Sequence, residues 1–580
     1  MTKAVLERAS QPAIVGSALS VPSTLQASLM ARLDRLPSAK QVAQVGAVIG
    51  REFSHELLAS VAEIAEAVLM QGLDELVSAG LAFRRGTPPE ATYSFKHALV
   101  QDAAYVSLLR RTRQKLHSRI AKVLEERWPE VVETQPEILA HHFTQAGSME
   151  RAVDYWQRAG ERAFRRSAAA EATGHLAKSI EFLRTLPEDR AQAERELHLQ
   201  TMLGQACIAR HGYAASETAA AFARARDLVE AVGDVSQQFP VLYGFWAVQY
   251  VRMAVREQQN LAGHILALAE QHPDPERLCV AHRICGATNE MMGELSAARE
   301  HLEQAIALYD PQRHGFTAFT FGQDLGVAVL SHLVWVLWLL GYPDQASRRQ
   351  AEALALARSV GHKNTQGFAL MYSAMAGAYG HDLGVAADHS ASLLELAREQ
   401  KFDLWRAGAT VVQGWAMARQ GRGAVGIAAI ERGLAEWTDS GAEWMRPFFL
   451  SLLADACALS GDVRRALGEL DEAIAAVERT GQCWADAELH RLRGQFLTAL
   501  PDGGRPDEAS AALQRAIQIA QRQSAKSWEL RAATILARLW REQGKQADAR
   551  DLLAPVYAWF TEGFATPDLK EAKAMLDTLR

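Results

Sequence analysis

One spacing recurs along the second half of the chain and restricts the folds that it can adopt. A small residue is followed by alanine at +5, a bulky residue near +9 and another small residue at +12. The clearest copies are Gly293 with Ala298, Gly341 with Ala346, Gly461 with Ala466, Gly504 with Ala509 and Gly544 with Ala549. Glycine suits a tight turn, and alanine at +5 lets a helix approach its neighbour closely. The spacing therefore predicts antiparallel helix pairs that pack through these positions.

This spacing resembles the tetratricopeptide repeat, whose period is about 34 residues. In this chain the turn positions 341, 382, 421, 461, 504 and 544 are separated by roughly 40 residues. Each helix pair is therefore expected to be about one helical turn longer than in the standard repeat. Such arrays bury a core by stacking and curve to expose a concave face. We expect that face to bind a protein or a small effector.

The first 128 residues follow a different pattern. Tyr93 and Phe95 alternate in a short strand after a turn at Gly86-Thr-Pro-Pro89, and a helix through Leu109 is expected to begin after His97. Helices followed by a two-stranded wing and more helix are typical of a winged-helix domain. We therefore predict a mainly α protein with a winged-helix domain at 23–128, irregular helical repeats at 129–290 and a tetratricopeptide-like α-solenoid, or α-α superhelix, of repeats of about 40 residues at 291–580. The repeat register between 200 and 290 is poor.

Composition excludes several classes of partner. The net charge of -6 and the pI near 6.3 give no general attraction to nucleic acid or to an anionic membrane. The five cysteines form no C-x-x-C pair, as in proteins of a reducing cytoplasm. Leu325 to Tyr342 has no charged residue, but Ser331 and His332 interrupt it and the repeats continue in phase after it. We therefore predict a cytoplasmic protein in which this segment is a buried helix, and no membrane contact.

Motifs for catalysis are missing from the sequence. It contains no G-x-x-x-x-G-K-[ST] phosphate loop, no H-E-x-x-H and no G-x-S-x-G, so we predict no catalytic residues and no enzyme activity. Cys279, His282 and Cys285 stand at i, i+3 and i+6. On a helix the third position is rotated well away from the first, so we predict core cysteines and no metal site.

A basic run follows the expected wing. It comprises Arg110, Arg111, Arg113 and Lys115, with Arg119 and Lys122 further along and Glu125 and Glu126 close behind. A helix that contacts DNA is one interpretation, since winged helices often bind DNA. The acidic net charge favours a solvated or domain-docking face instead.

Three segments together resemble one family. They are Val21–Leu36, Gln44–Phe53 and Tyr93–Tyr105, and they are similar to the C-terminal half of bacterial class III adenylate/guanylate cyclase-related proteins. Those proteins carry a cyclase domain, an AAA-like ATPase of the signal-transduction (STAND) type, a winged helix and tetratricopeptide repeats. The resemblance implies that residues 1–22 correspond to the end of the ATPase domain and a linker. It also implies that ATP or ADP belongs to that ATPase domain, and that this chain itself holds no cofactor.

The same resemblance gives His97 a role. In related switch ATPases the winged helix supplies a histidine, within a Met-His-Asp-like motif, to the phosphate of bound ADP. Here Phe95-Lys-His97-Ala98 keeps the histidine, while Ala98 stands where the acid would be. From position alone, His97 is interpreted as a histidine that caps or packs locally. The resemblance implies a phosphate sensor that acts only with an ATPase domain.

Three functions follow as expectations. The first is a non-catalytic sensor module of an ATPase–nucleotidyl cyclase system, with that domain as a partner in cis or in trans. The second is an independent tetratricopeptide scaffold for protein–protein interaction. The third is a winged-helix transcription regulator that uses the basic run from Arg110.

Overall fold

The computed structural model of the protein describes residues 23–232, 235–314, 317–501 and 504–579. The expected ATPase-domain remnant at 1–22 lies outside these residues. The chain divides into two compact units. The first contains the residues up to Ala163 together with Gly174–Gln192, and the second contains Phe164–Thr173 together with Ala193–Arg580.

A three-stranded antiparallel sheet and short helices open the first unit. Its elements are α1 (Ser23–Asp34), α2 (Pro37–Ile49), β1 (Glu52–Ser54), α3 (His55–Val61), α4 (Glu66–Ser78), β2 (Ala82–Arg85), β3 (Thr92–Phe95), α5 (Ala98–Val106), α6 (Arg110–Arg127), α7 (Pro129–Thr134), α8 (Pro136–Ala146), α9 (Met149–Arg165) and α10 (Ala169–Leu183). The strand order is β1-β3-β2. β2 and β3 form the expected hairpin, whereas β1 is too short to leave a period-2 pattern and was not predicted.

The sheet packs on α2 through aromatic side chains. Phe53 of β1 pairs with Tyr93 of β3, their rings stack at 5.9 Å, and both are buried. Any Cβ at Gly46 of α2 would lie 2.7 Å from the Phe53 ring, so glycine is required for this close packing. The winged-helix assignment of this unit remains a prediction.

One detail of the predicted helix after His97 is wrong. α5 ends at Val106, and Val106 and Leu109 are 57% and 77% exposed. The chain turns at Ser107 and Leu108 before α6 begins at Arg110. Leu109 therefore lies outside the helical face on which it was placed.

The second unit consists of helices throughout its described part. They are α11 (Arg190–His211), α12 (Ser216–Val232), α13 (Val235–Arg252), α14 (Val255–Gln271), α15 (Pro275–Met291), α16 (Leu295–Leu308), α17 (Pro311–His314), α18 (Thr317–Phe321), α19 (Leu325–Leu339), α20 (Pro343–Val360), α21 (Lys363–Tyr379), α22 (Leu383–Gln400), α23 (Asp403–Arg419), α24 (Gly423–Asp439), α25 (Arg446–Leu459), α26 (Val463–Thr480), α27 (Asp486–Thr498), α28 (Pro506–Gln523), α29 (Lys526–Glu542), α30 (Gln546–Ala558) and α31 (Pro567–Asp577). This is the mainly helical, solenoid-like architecture that the repeat spacing predicts.

The repeat period follows from long second helices. α20, α22, α24 and α26 begin 40 residues apart, at Pro343, Leu383, Gly423 and Val463, and each has 17 or 18 residues. The turn glycines of the repeat spacing have left-handed φ angles between +70° and +94°: Gly293, Gly341, Gly461, Gly504 and Gly544. The alanines at +5 are all buried: Ala298, Ala346, Ala466, Ala509 and Ala549. The small side chain thus stands where neighbouring helices pack.

Helix pairs of the second unit wind until successive turns touch. The C-terminal end of α13 accepts hydrogen bonds at Val251 O from the backbone N–H groups of Glu443 and Trp444, at 3.0 and 2.9 Å. In the same way, Met291 O at the end of α15 accepts from Cys483 and Trp484, at 2.9 and 3.3 Å. The donors precede α25 and α27, five helix pairs further along the chain. One superhelical turn therefore takes about five pairs.

The apolar segment that begins at Leu325 forms an inner helix of this winding. In α19 every side chain from Leu325 to Leu337 is buried, and so is Leu339. No helix in the described residues combines the length and the apolar character needed to cross a bilayer.

Candidate functional site

Where successive turns meet, the inner helices bring together a column of aromatic side chains. Trp335 of α19 stacks on Trp484 with ring centroids 5.4 Å apart, and it lies 6.4 Å from the ring of Trp444. Trp338 packs edge-on against Trp528 at 4.9 Å. The expected concave face is therefore filled by the next turn in this part of the array. It is an interior surface that an effector reaches only between turns.

A small cavity lies within this column. The aromatic cavity, as we name it, is lined chiefly by Trp246, Tyr250, Arg283, Gln323, Phe368, Tyr372, Trp405 and Trp444. Trp246 and Tyr250 belong to the first superhelical turn, and Trp444 belongs to the next. The space has room for about one or two water molecules. An occupant of the cavity would contact both turns at once.

Arg283 is the charged group of the cavity. Its side chain is 2% exposed, and its guanidinium lies over the rings of Trp246 and Tyr243, at 4.8 and 5.2 Å. Nε and Nη1 are buried without a hydrogen-bond partner among the described residues. Cation–π contacts replace only part of the hydration that a guanidinium loses on burial. Arg283 thus retains unused hydrogen-bond donors at the cavity wall.

A second polar group lies deeper, beside Tyr372. Glu290 and His332 are fully buried, with Oε2 of Glu290 2.5 Å from Nδ1 of His332, and the Tyr372 hydroxyl lies 3.3 Å from His332 Nε2. Burial raises the pKa of Glu290 well above its usual range and lowers the pKa of His332 well below its usual range. We therefore assign a neutral pair, in which the Glu290 carboxylic acid donates to the imidazole. Such a pair supplies no negative charge to Arg283.

Gln323 contributes a hydrogen-bond acceptor to the wall of the aromatic cavity. It is 2% exposed, and its Nε2 donates to the Tyr213 hydroxyl at 2.9 Å. Its Oε1 is buried without a hydrogen-bond partner in the described residues, whereas the Tyr250 hydroxyl interacts with the side chains of Tyr372 and Trp444. Buried polar groups in folded proteins are nearly always hydrogen-bonded. The unpaired groups of Gln323 and Arg283 at one cavity indicate a binding site that holds polar groups of a ligand or of water.

His97 lies in the first unit, at the residue that precedes α5. It is exposed, its backbone is extended with φ of -135° and ψ of 142°, and its side chain forms no capping hydrogen bond. His97 is thus the N-cap residue of α5 through its backbone and not through its side chain. The expected role at a phosphate is untested by these contacts.

Cys279, His282 and Cys285 point to different neighbours. Cys279 Sγ donates to Ala305 O at 3.3 Å, and Cys285 Sγ donates to Ala262 O at 3.7 Å. His282 Nδ1 instead lies 2.9 Å from Nδ1 of His301. Burial raises the pKa of both thiols to about 12. The cysteines are thus core residues, and across the described ranges no three His, Cys, Asp or Glu side chains are arranged to hold a metal.

The basic run is partly engaged within the first unit. Arg113 lies over the Tyr105 ring at 5.0 Å, and Arg119 pairs with Glu63 and donates to Val61 O at 3.3 Å. Arg110 and Arg111 are exposed. The run therefore serves partly to hold α6 against α3.

Sequence reasoning missed the aromatic cavity, although two signals were present. Trp405, Trp444, Trp484 and Trp528 recur every 39 to 44 residues, and all four are buried. Arg283 stands beside His282 within a helix of mostly apolar and small residues. Tryptophans that recur about every 40 residues indicate the inner face of the array. A charged residue among the apolar residues of that face indicates the candidate site.

The fold and the site together define a helical-repeat protein with a small aromatic cavity. No family model matches the chain. It is 28% identical over 519 residues to an uncharacterised protein of Rhizobium meliloti, an alignment that covers 88% of this chain. The chain spans about half the length of that curated relative, 50%.

Solved structures also resemble the chain at low sequence identity. A Rap protein complexed with Competence and Sporulation Factor has 14% identity and a TM-score of 0.44, with 65% of this chain and 99% of that chain covered. A signal transduction ATPase with numerous domains and a tetratricopeptide repeat sensor, from Pyrococcus horikoshii, has 12% identity and a TM-score of 0.30, with 97% and 67% covered. At these scores, the helical pairs described above carry the fold assignment.

Proposed function

We propose that this chain is a non-catalytic sensor module of an ATPase–nucleotidyl cyclase system, whose repeat array takes up an effector and relays that event to a partner domain. One observation carries the proposal: the aromatic cavity lies between successive turns of one winding. Its walls come from both turns, so an occupant with different contacts in the closed and opened winding would shift the balance between them. A tightly packed scaffold would have no need of unpaired polar groups at that contact.

The relay would pass through the contacts between turns. The backbone donors of Trp444 and Trp484 reach the ends of α13 and α15, and these are isolated hydrogen bonds outside any helix. Such contacts can open locally without unfolding the helices that present them. In this proposal the winding is the two-state element that regulation requires.

Hydrogen exchange tests this element on the protein itself. We expect the amides of Trp444 and Trp484 to exchange through local opening, well before amides in the middle of α25. A disulfide between Ala214→Cys and Gly441→Cys should slow that exchange. A Cβ built at Gly441 lies 3.6 Å from Ala214 Cβ, within the usual range for a disulfide. Because Gly441 has a φ of +78°, the single variant Gly441→Cys controls for backbone strain. Exchange of both amides only on global unfolding would overturn the sensor proposal.

His97 is proposed to link the first unit to nucleotide state. An exposed imidazole just before a helix can donate to a phosphate oxygen of a neighbouring domain. We expect His97→Ala to leave the stability of this chain unchanged and to weaken ADP retention only when an ATPase domain is joined to it. Equal ADP retention by both proteins would remove His97 from the mechanism.

An independent scaffold is the second candidate. Phe83, Val106 and Leu109 expose 57%, 57% and 77% of their side chains in the first unit, and exposed apolar side chains are typical of surfaces that bind proteins. If the winding never opens, the scaffold accounts better for the chain. The exchange experiment therefore separates the two functions.

A further inference from the structure

We infer that the aromatic cavity binds the carboxylate of a small organic acid, with the Arg283 guanidinium as its counter-ion. This inference rests on the proposed function and names the class of effector that the site would take. Arg283 is 2% exposed and lines the cavity, and its Nε and Nη1 are donors without a partner in the described residues. Nε–H and Nη1 lie on opposite sides of the guanidinium, so a carboxylate can accept from either of them together with the adjacent Nη2.

Arg283 acts electrostatically on Glu290, whose pKa it lowers against the larger raising effect of burial. No described carboxylate forms an ion pair with Arg283, and Glu290 on the same helix is bonded to His332. Seven residues separate Arg283 from Glu290, about 10 Å along α15. A buried charge without a partner is strongly disfavoured. A bound carboxylate would satisfy the guanidinium and complete the wall.

The walls also restrict the body of the acid. Aromatic rings of Trp246, Trp405 and Trp444 line the space, and they offer no second cation to a polyanion. The cavity has room for about one or two water molecules, which corresponds to an acid of the size of formate or acetate. The chemistry that fits is a compact monocarboxylate.

Acetate, acetamide and chloride at equal ionic strength form the test. Calorimetry, tryptophan fluorescence and thermal unfolding of the full chain are followed for each. We expect saturable binding of acetate, a change in tryptophan emission and a higher Tm, and neither acetamide nor chloride should reproduce them. Affinity should fall from acetate to butyrate because the small cavity has no room for the longer chain. Equal responses to acetate and chloride, or to acetate and acetamide, would overturn the inference.

Variants separate a binding role from a structural one. Arg283→Met should weaken acetate binding by at least about tenfold, while the unliganded Tm stays equal or rises because a lone buried charge has been removed. Arg283→Lys should keep part of the affinity, since it retains the charge without the fork. Arg299→Met is the matched control: Arg299 lies over the Tyr342 ring at 5.0 Å, away from the residues that line the cavity. Full acetate affinity in Arg283→Met would disprove the assignment.

The two proposals fail in different ways. If acetate binds without changing exchange at the Trp444 amide, the carboxylate site stands and the sensor mechanism fails. If that amide opens locally but acetate does not bind, the sensor mechanism stands and the carboxylate assignment fails.

Discussion

Two parts of the second unit each contain a buried arginine, but among the described residues only one of them provides a carboxylate partner for its charge. In α27, Arg491 donates to both carboxylate oxygens of Glu488, at 2.7 and 2.8 Å, and to Gln495 at 2.5 Å. In α15, Arg283 is buried to a similar degree and faces aromatic rings instead. Both lie on inner helices of the same array. Burial alone therefore does not explain the missing partner of Arg283.

The paired arrangement recurs along the later inner helices. Arg419 pairs with Asp455 at 2.9 and 3.0 Å, and Arg531 Nη2 lies 2.8 Å from Asp568 Oδ2 without a well-aligned hydrogen bond. Each of these pairs joins one inner helix to the next. This sequence thus supplies carboxylates where a buried arginine is structural. Within the described residues Arg283 has no such carboxylate partner, which supports the inference that its counter-ion comes from outside the chain.

The largest expected loss of stability comes from replacing Arg491, the arginine that has a carboxylate partner. Arg491→Met leaves Glu488 as a buried carboxylate whose remaining ion-pair contact is Arg531 at 3.7 Å, and it should cost about 3 kcal/mol of unfolding free energy. Arg283→Met removes an unpaired charge and should cost nothing or stabilise the fold. Urea unfolding measures both, with the partly exposed Arg493→Met as control. A similar large loss for both buried arginines would mean that Arg283 is structural.

The pH dependence of Glu290→Gln sharpens the comparison. Because burial raises the pKa of Glu290 above 4.5 in the folded state, its contribution to stability is full below about pH 4.5 and is lost as the pH rises. Glu290→Gln should therefore gain stability relative to the wild type above pH 4.5, by about 1.4 kcal/mol per pH unit until the folded pKa is reached.

Glu488→Gln is the matched variant, and we expect it to change the unfolding free energy in the opposite direction. Glu488 is a paired carboxylate, so its amide should lose about 3 kcal/mol near neutral pH. Unfolding free energies from pH 4 to 8 check both variants. If Glu290→Gln also lost stability as the pH rose, Glu290 would be ionised and would itself balance the charge of Arg283.

The repeat spacing predicted the helix pairs of the array because turn glycines and buried alanines are local requirements. Gly341 and Ala346 serve one turn between two adjacent helices, and such contacts leave a period in the sequence. The winding depends instead on contacts between residues about two hundred positions apart in the sequence. Val251 contacts Trp444, and Met291 contacts Trp484. No local sequence pattern indicates which superhelical turn packs against which other turn. The concave face was therefore expected to be open.

The candidate site escaped prediction for the same reason. His332 was noticed in the sequence as an interruption of an apolar segment, whereas Arg283, which stands between His282 and Cys285, was not singled out. Their burial depends on how neighbouring helices and the next turn of the winding cover them. The recurring tryptophans would have indicated a filled interior. They could not have shown that Arg283 lacks a carboxylate, because that requires the positions of all its neighbours.

The smallest effect concerns a contact between turns that uses charge where the others use backbone and aromatic groups. Glu562 Oε1 accepts from the backbone N–H groups of Asp344 and Gln345 in the first turn of α20, at 2.9 and 3.0 Å, and Asp344 Oδ2 accepts from Gly563 N at 3.0 Å. Glu562 thus acts as a helix cap supplied from a distant part of the chain. Glu562→Ala should cost about 1 kcal/mol, as loss of a cap does, and the exposed Glu542→Ala should cost almost nothing. Because Glu562 lies far from the residues of the aromatic cavity, its loss should leave acetate binding intact; a weaker acetate response would mean that the contacts between turns act as one cooperative element.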